Sequence, residues 1–252
     1  MPRLSKQLLY GIFFLVIFGA VIYGIYSIFV KSAPSCFDRR QNQGEEGVDC
    51  GRVCSSTCLP GNLQAIETQG AVRIFYPRTG RVTLLARLQN ANLNFAVKAF
   101  DYKFTLFNSE NKEIKSALGK SYIHAGEIKY LAAFVDLQDE HLATRAEITL
   151  TNVDWVTAGA AGKPMLVVQE HRTTLSPLGV ETAGSVLNND AVNLDTVKIM
   201  ALLRGNAGQA LGVSETEVGG LAPGESRSFT IFHPPMDELD LQKTEIFVSS
   251  QK

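Results

Sequence analysis

Cys36, Cys50, Cys54 and Cys58 are the chain's only cysteines, and they fall within 23 residues that also carry Asp38, Asn42, Glu45, Glu46 and Asp49. Three chemistries are open to such a set. Four thiolates could close a tetrahedral zinc site, two thiol pairs could form disulfides, or the carboxylates could hold a hard cation such as calcium. The spacing C-x13-C-x3-C-x3-C offers zinc only one close pair with the usual partner arrangement, and the 194 residues after Cys58 contain no further cysteine. Two disulfides are therefore the expected state, in any of the three connectivities that four cysteines allow. For calcium the donors would be Asp38, Asn42, Glu45 and Asp49, without EF-hand spacing and with Arg39 and Arg40 opposing a cation. The competing role for those four is to cap turns and accept backbone N–H groups in a loop poor in apolar residues.

Thiol chemistry depends on the compartment, and the segment before the cysteines bears on it. Leu8 to Val30 is 23 residues without a charge. As a helix it would be about 35 Å long, enough to cross a hydrocarbon core with some tilt. The expected organisation is a short cytoplasmic tail over residues 1–7 and a transmembrane helix over 8–30. The run exceeds the h-region of a cleaved signal peptide, and Pro34 interrupts the small pair Ala33 and Ser35, so an uncleaved anchor is expected. Arg3 and Lys6 precede the run while Lys31, Arg39 and Arg40 follow it, so basic residues do not fix its orientation. The cysteines argue for an extracytoplasmic C-terminal side.

Residues 36–54, CFDRRQNQGEEGVDCGRVC, resemble the short repeat C-x-D-G-x-x-N-G-x-E-x-G-V-D-C-G-G-x-C of bacterial extracytoplasmic and surface proteins. Cys36, Asp38, Asn42, Glu45, Gly47, Val48, Asp49, Cys50, Gly51 and Cys54 match it. Arg39, Gln43 and Arg52 replace three of its glycines, which leaves the loop less permissive. The resemblance implies an oxidising location, with residues 34–60 as a disulfide-rich stalk.

Beyond residue 62 the pattern changes to short alternating apolar runs broken by Gly, Asn and Pro. Strands are expected at 71–76, 81–88, 97–107, 128–137 and 145–153, with Phe100, Tyr102, Phe104 and Leu106 on one face of the third. A second series follows in VETAGSVLN, DTVKIMALLR, SRSFTIFHP and KTEIFVSS. A shift of 98 residues superposes the two: Asn90 on Asn188, Gly126 on Gly224, Glu127 on Glu225, Phe134 on Phe232, Glu147 on Glu245 and Ile148 on Ile246. The chain is thus internally duplicated, with repeats at 62–156 and 163–252 joined by a small-residue connector. The expected fold class is all-β, two tandem immunoglobulin-like antiparallel sandwiches after one N-terminal transmembrane α-helix.

The second repeat also resembles the FxLYD type of bacterial envelope domain and, more distantly, the late-embryogenesis-abundant β-sandwich. Asn188, Val197, Leu202, Leu221, Pro223, Gly224, Glu225 and Phe229 carry the match, while Arg204 stands near the place of the family's aspartate. The first repeat matches only faintly. The resemblance implies a sandwich without catalysis.

Site chemistry is scarce elsewhere. His124, His141, His171 and His233 are scattered and read as surface or strand-end residues, and no nucleophile elbow, phosphate loop or dinucleotide fingerprint occurs. Glu170 and His171 should point to opposite faces of a strand, and Trp155 should pack where the repeats meet. With 24 Lys plus Arg against 25 Asp plus Glu, the net charge of −1 argues against nucleic acid as a partner. The expected protein is non-enzymatic and without a cofactor: a membrane-anchored spacer or adhesion module meeting other envelope proteins, with no small-molecule ligand expected. Its rivals are a calcium- or ligand-binding sensory ectodomain, using the acidic loop or a pocket between the sandwiches, and an accessory subunit of a secretion or pilus machine.

Overall fold

The structure, a computed structural model, describes residues 3–27, 35–137 and 143–251. The chain divides into two compact units, Met1–Cys58 and Leu59–Lys252. In the first, α1 spans Arg3–Ile25. Its stretch Lys6–Ile25 has mean hydropathy 2.5 and no buried residue, long and apolar enough to cross a membrane. Residues 28–30 of the expected span lie outside the described residues.

The second unit is antiparallel β throughout. Strand β3 (Arg81–Gln89) pairs along one edge with β1 (Glu67–Thr68) and β2 (Arg73–Arg78), and along the other with β6 (Ile128–Asp136). The facing sheet has β4 (Phe95–Phe107) between β5 (Glu113–Ile123) and β7 (Arg145–Thr157). The same plan then recurs. Strand β9 (Gly179–Asn188) sits between β8 (Leu166–Ser176) and β12 (Ser226–His233), and β10 (Leu194–Arg204) between β11 (Ala210–Leu221) and β13 (Glu245–Ser249). Each pair of sheets encloses its own core, built on Leu84, Leu88, Phe100, Phe104 and Leu106 in the first and on Val186, Val197, Ile199, Leu221 and Phe229 in the second. Side chains alternate in and out along these strands, which is the period of two seen in the sequence.

The identities at a spacing of 98 have a physical cause. Asn90 and Asn188 are both fully buried, at the end of the central strand of one sheet of their sandwich, β3 and β9. Asn90 Nδ2 donates to the carbonyls of Phe95 (2.8 Å) and His124 (3.0 Å), and its Oδ1 accepts from the Asn92 amide (3.0 Å). Asn188 repeats this with Val192 (2.8 Å), Leu221 (2.9 Å) and the Asp190 amide (3.0 Å). Each asparagine therefore ties together two loops and a strand end whose backbone groups would otherwise be buried unpaired. Gly126 and Gly224 occupy matching turns at φ 66° and 73°, a conformation that side chains disfavour. Beside them, Glu127 accepts from the His124 amide (2.8 Å) and Glu225 from the Ala222 amide (2.9 Å).

The sandwiches also share a third apolar cluster. Leu85 and Ala132, on the outer face of the β2–β3–β6 sheet, pack with Met200, Leu202 and Val213 from the outer face of the β11–β10–β13 sheet. Strand β10 is consequently buried on both faces from Ile199 to Leu203, which explains the unbroken apolar run IMALL. The sequence left the relative orientation of the two repeats open, and this cluster brings them together face to face. Tyr130 and Phe247 meet across the seam with ring centroids 4.6 Å apart. A double-mutant cycle on this pair, read by denaturant unfolding, is expected to return a coupling of about 1 kcal/mol. Zero coupling would mean that the seam contact is incidental.

Trp155 corrects one expectation. It lies inside β7 opposite Val97 and packs against the first core, not at the junction of the repeats. The connector between β7 and β8 carries small residues instead.

Candidate functional site

All four cysteines are oxidised, Cys36 to Cys54 and Cys50 to Cys58, with Cα–Cα distances of 5.6 and 5.0 Å. The two bridges interleave, so each loop is crossed by the other. In the chain-entropy picture a loop of about 15 residues contributes on the order of 3 kcal/mol, which substitutes for the core that this module lacks. Cys36, Cys54 and Glu45 lie near enough to suggest a metal triad, but the two sulfurs are bonded to each other and offer no thiolate.

The four oxygen-bearing residues are brought together, and the chain itself takes up their carboxylates. Asp49 accepts from the amides of Asp38 (3.0 Å) and Arg39 (2.9 Å). Asp38 accepts from the Arg40 amide (2.9 Å) and from Asn42 Nδ2 (2.8 Å). Glu45, buried, accepts from the Asn42 amide (3.1 Å). The Asn42 bond, helped by the Arg40 and Ser35 amides, holds the Asp38 carboxyl below its ordinary range against the opposing effect of burial. The geometry is that of loop capping.

Arg39, Gln43 and Arg52, where the resembled repeat has glycine, sit at φ 59°, 54° and 48°. Left-handed backbone in such residues costs about 1–2 kcal/mol each. Gln43→Gly is therefore expected to stabilise the module by up to about 1 kcal/mol, after the larger unfolded-state entropy of glycine is deducted. Rates of disulfide reduction by dithiothreitol would check it: slower in the variant if the strain is real, unchanged or faster if not. Gly47 is constrained differently, since a Cβ there would lie 2.8 Å from Cys50 Sγ.

The second candidate is a cleft of 710 Å³ along the seam of the sandwiches, within the usual range for small-ligand sites. Lys98, Lys120, Lys129, Lys163 and Lys198 line it, against the carboxylates Glu127, Asp195 and Glu215. Three of the lysines have ion-pair partners: Lys120 with Asp101 (3.6 Å), Lys163 with Glu127 (3.0 Å) and Lys198 with Glu217 (3.4 Å). Lys129 differs. It is 8% exposed, its Nζ has no hydrogen-bond partner among the described residues, and it lies 3.3 Å over the centre of the Tyr122 ring. Burial, opposed by Glu127, brings its ammonium down to about 8. Burial also pushes the Tyr122 hydroxyl up to about 12, against the hydrogen bond it shares with Ser249. Glu215 is raised by burial, with Lys198 opposing. For Glu127 burial acts upward, but the His124 amide and Lys163 outweigh it and the carboxyl is lowered. No sequence motif marks Lys129; the cleft assembles it from β5, β6, β10, β11 and β13.

The histidines do not converge. His124 and His233 are buried at strand ends, where Nδ1 donates to the carbonyls of Ala161 (3.0 Å) and Pro234 (2.8 Å). His171 is exposed, and His141 lies outside the described residues. Glu170 and His171 fall in a bulge of β8 between Gln169 and Arg172, with Glu170 at φ 27°, so simple alternation of faces does not hold there.

Neither a family model nor a curated protein matches the sequence. Among solved structures, red sea bream transglutaminase is similar over 73% of this chain and 31% of its own, at 12% identity and a TM-score of 0.24. The chain thus spans under a third of that protein, and a likeness of this degree says nothing about activity.

Proposed function

We propose that the chain is a non-enzymatic, single-pass protein of a bacterial cell envelope. It is held by an uncleaved α1, and its sandwich pair stands on the extracytoplasmic side as a spacer and protein-interaction module. The observation that carries this reading is the order of the chain. A helix apolar on all sides is followed directly by a module whose four cysteines form two disulfides, a state that persists outside the reducing cytoplasm. The resemblances to the surface-protein repeat and to FxLYD domains support the envelope. The edge strands β5, β8 and β11 are the surfaces on which a partner strand could add. Proteinase K applied to intact spheroplasts expressing a C-terminally tagged chain is expected to remove the tag. Protection of the tag until the membrane is permeabilised would refute the topology.

A ligand-binding ectodomain is the second reading, favoured by the seam cleft and its unpaired lysine. For calcium in the acidic loop, Asn42 Oδ1 is buried without a partner among the described residues, but the loop's own amides already engage the carboxylates beside it.

A further inference from the structure

A buried ammonium carries three donors, and a protein interior supplies acceptors for them when the charge serves only the fold. Lys129 has none. A ring face compensates part of its lost hydration, and two carboxylates, Glu127 and Glu215, act on it from a distance without bonding it. Glu127 is already engaged by Lys163 and by the His124 amide. The flexible stem of Lys129 stands in the wall of the seam cleft, where lysines outnumber carboxylates and where Tyr102, Tyr130, Met200 and Phe247 supply apolar surface. What such a wall lacks is an acceptor with an apolar body attached.

We propose that the seam cleft binds a small organic anion, a carboxylate on an aromatic or similarly flat apolar body. Its oxygens engage Lys129 as the side chain swings off Tyr122, and its body lies against the aromatic surface. Lys98, for which no ion pair is found among the described residues, adds a second cation at the cleft wall. This names the ligand class for the ligand-binding reading above, and it is independent of the anchor and its orientation. An ordinary structural lysine would gain stability from its position; a lysine kept for a ligand loses stability in its absence, because an uncompensated buried charge is unfavourable.

The test is equilibrium dialysis of the full chain, in one detergent throughout, against 2-naphthoate and against the neutral analogue 2-naphthalenemethanol. It is run on the natural protein and on Lys129→Met, each also melted thermally. The expected result is saturable 1:1 binding of naphthoate, at least tenfold weaker for the neutral analogue and at least tenfold weaker in Lys129→Met. The melting temperature of the variant is expected to equal or exceed that of the natural protein, which shows that binding was not lost through unfolding. Equal binding of both probes, undiminished in Lys129→Met, would overturn the anionic class while leaving a ligand cleft. No saturable binding of either probe would overturn both the inference and the ligand-binding reading.

Discussion

Asn90→Ala is expected to destabilise the sandwich unit by about 3 kcal/mol, and Asn188→Ala by a similar amount. Asn90→Ala removes four side-chain hydrogen bonds and Asn188→Ala three, in each case from a fully buried residue, leaving two carbonyls and an amide behind. An unsatisfied buried backbone group costs about 1–3 kcal/mol, and partial relaxation toward water keeps the sum below the arithmetic maximum. Asparagine suits the position because it donates twice and accepts at once. Aspartate would present oxygen to two carbonyl oxygens, so Asn90→Asp should be at least as damaging as alanine despite near-identical shape. Urea unfolding monitored by circular dichroism would measure both. A loss below about 1 kcal/mol in either alanine variant would show that the shared asparagines are not what fixes the repeated loops.

The second large effect is a dependence of stability on pH that originates in Lys129. Its ammonium titrates near 8 in the folded chain, against 10.5 for the free side chain. Below pH 8 the group is charged in both states, and the full penalty of burying it is felt. Between 8 and 10.5 the folded chain has released the proton while the unfolded chain still holds it, so the stability of the folded state rises with pH. The gain across that window is on the order of 3 kcal/mol, at about 1.4 kcal/mol for each pH unit. The groups that face Lys129 are Tyr122 on β5, Glu127 in the turn before β6, Lys163 in the connector, Lys198 on β10 and Glu215 on β11. Tyr122 titrates above the window, near 12, and Glu127 is lowered away from it. Unfolding free energies of the natural chain and of Lys129→Met, measured from pH 7 to 10.5, should therefore converge as pH rises, with the variant ahead at the neutral end. A difference that does not change with pH would show that Lys129 keeps an ordinary pKa.

Much of this architecture is legible in the sequence because it rests on local periodicity. The uncharged run of α1, the alternation in β3, β4 and β6, and the offset of 98 residues all report burial patterns that short segments impose on themselves. Strands β5 and β11 were missed because polar and small side chains interrupt their alternation, as in EIKSALGKSYI and ALGVSETEVGGL; edge position alone does not hide a strand, since β6, β7, β12 and β13 also lie at sheet edges and were legible. The repeat offset also hides a slip. Ile148 opposes Phe104 while its counterpart Ile246 opposes Ala201, one residue short of the counterpart of Phe104.

The candidate sites divide along the same line. The cysteine module was legible as a pair of disulfides, and its carboxylates as turn caps, since all the residues involved fall within one short stretch of chain. The pairing was not, because spacing alone leaves three connectivities open. The seam had one signal, the run IMALL in β10, which reads as a strand buried on both faces but does not name what covers it. Lys129 had none. Tyr122 belongs to the same repeat, but Lys198 and Glu215 reach it only through the packing of one repeat on the other.

The central claim, an anchored chain whose cysteine module is oxidised outside the cytoplasm, is tested most directly by intact mass. Protein is taken from membranes under acid quench, with and without reductant, and then exposed to a thiol-alkylating reagent. The account predicts a mass four hydrogens below that of the reduced chain and no alkylation until reductant is added, as two disulfides require. Four thiols alkylated without reductant would contradict it.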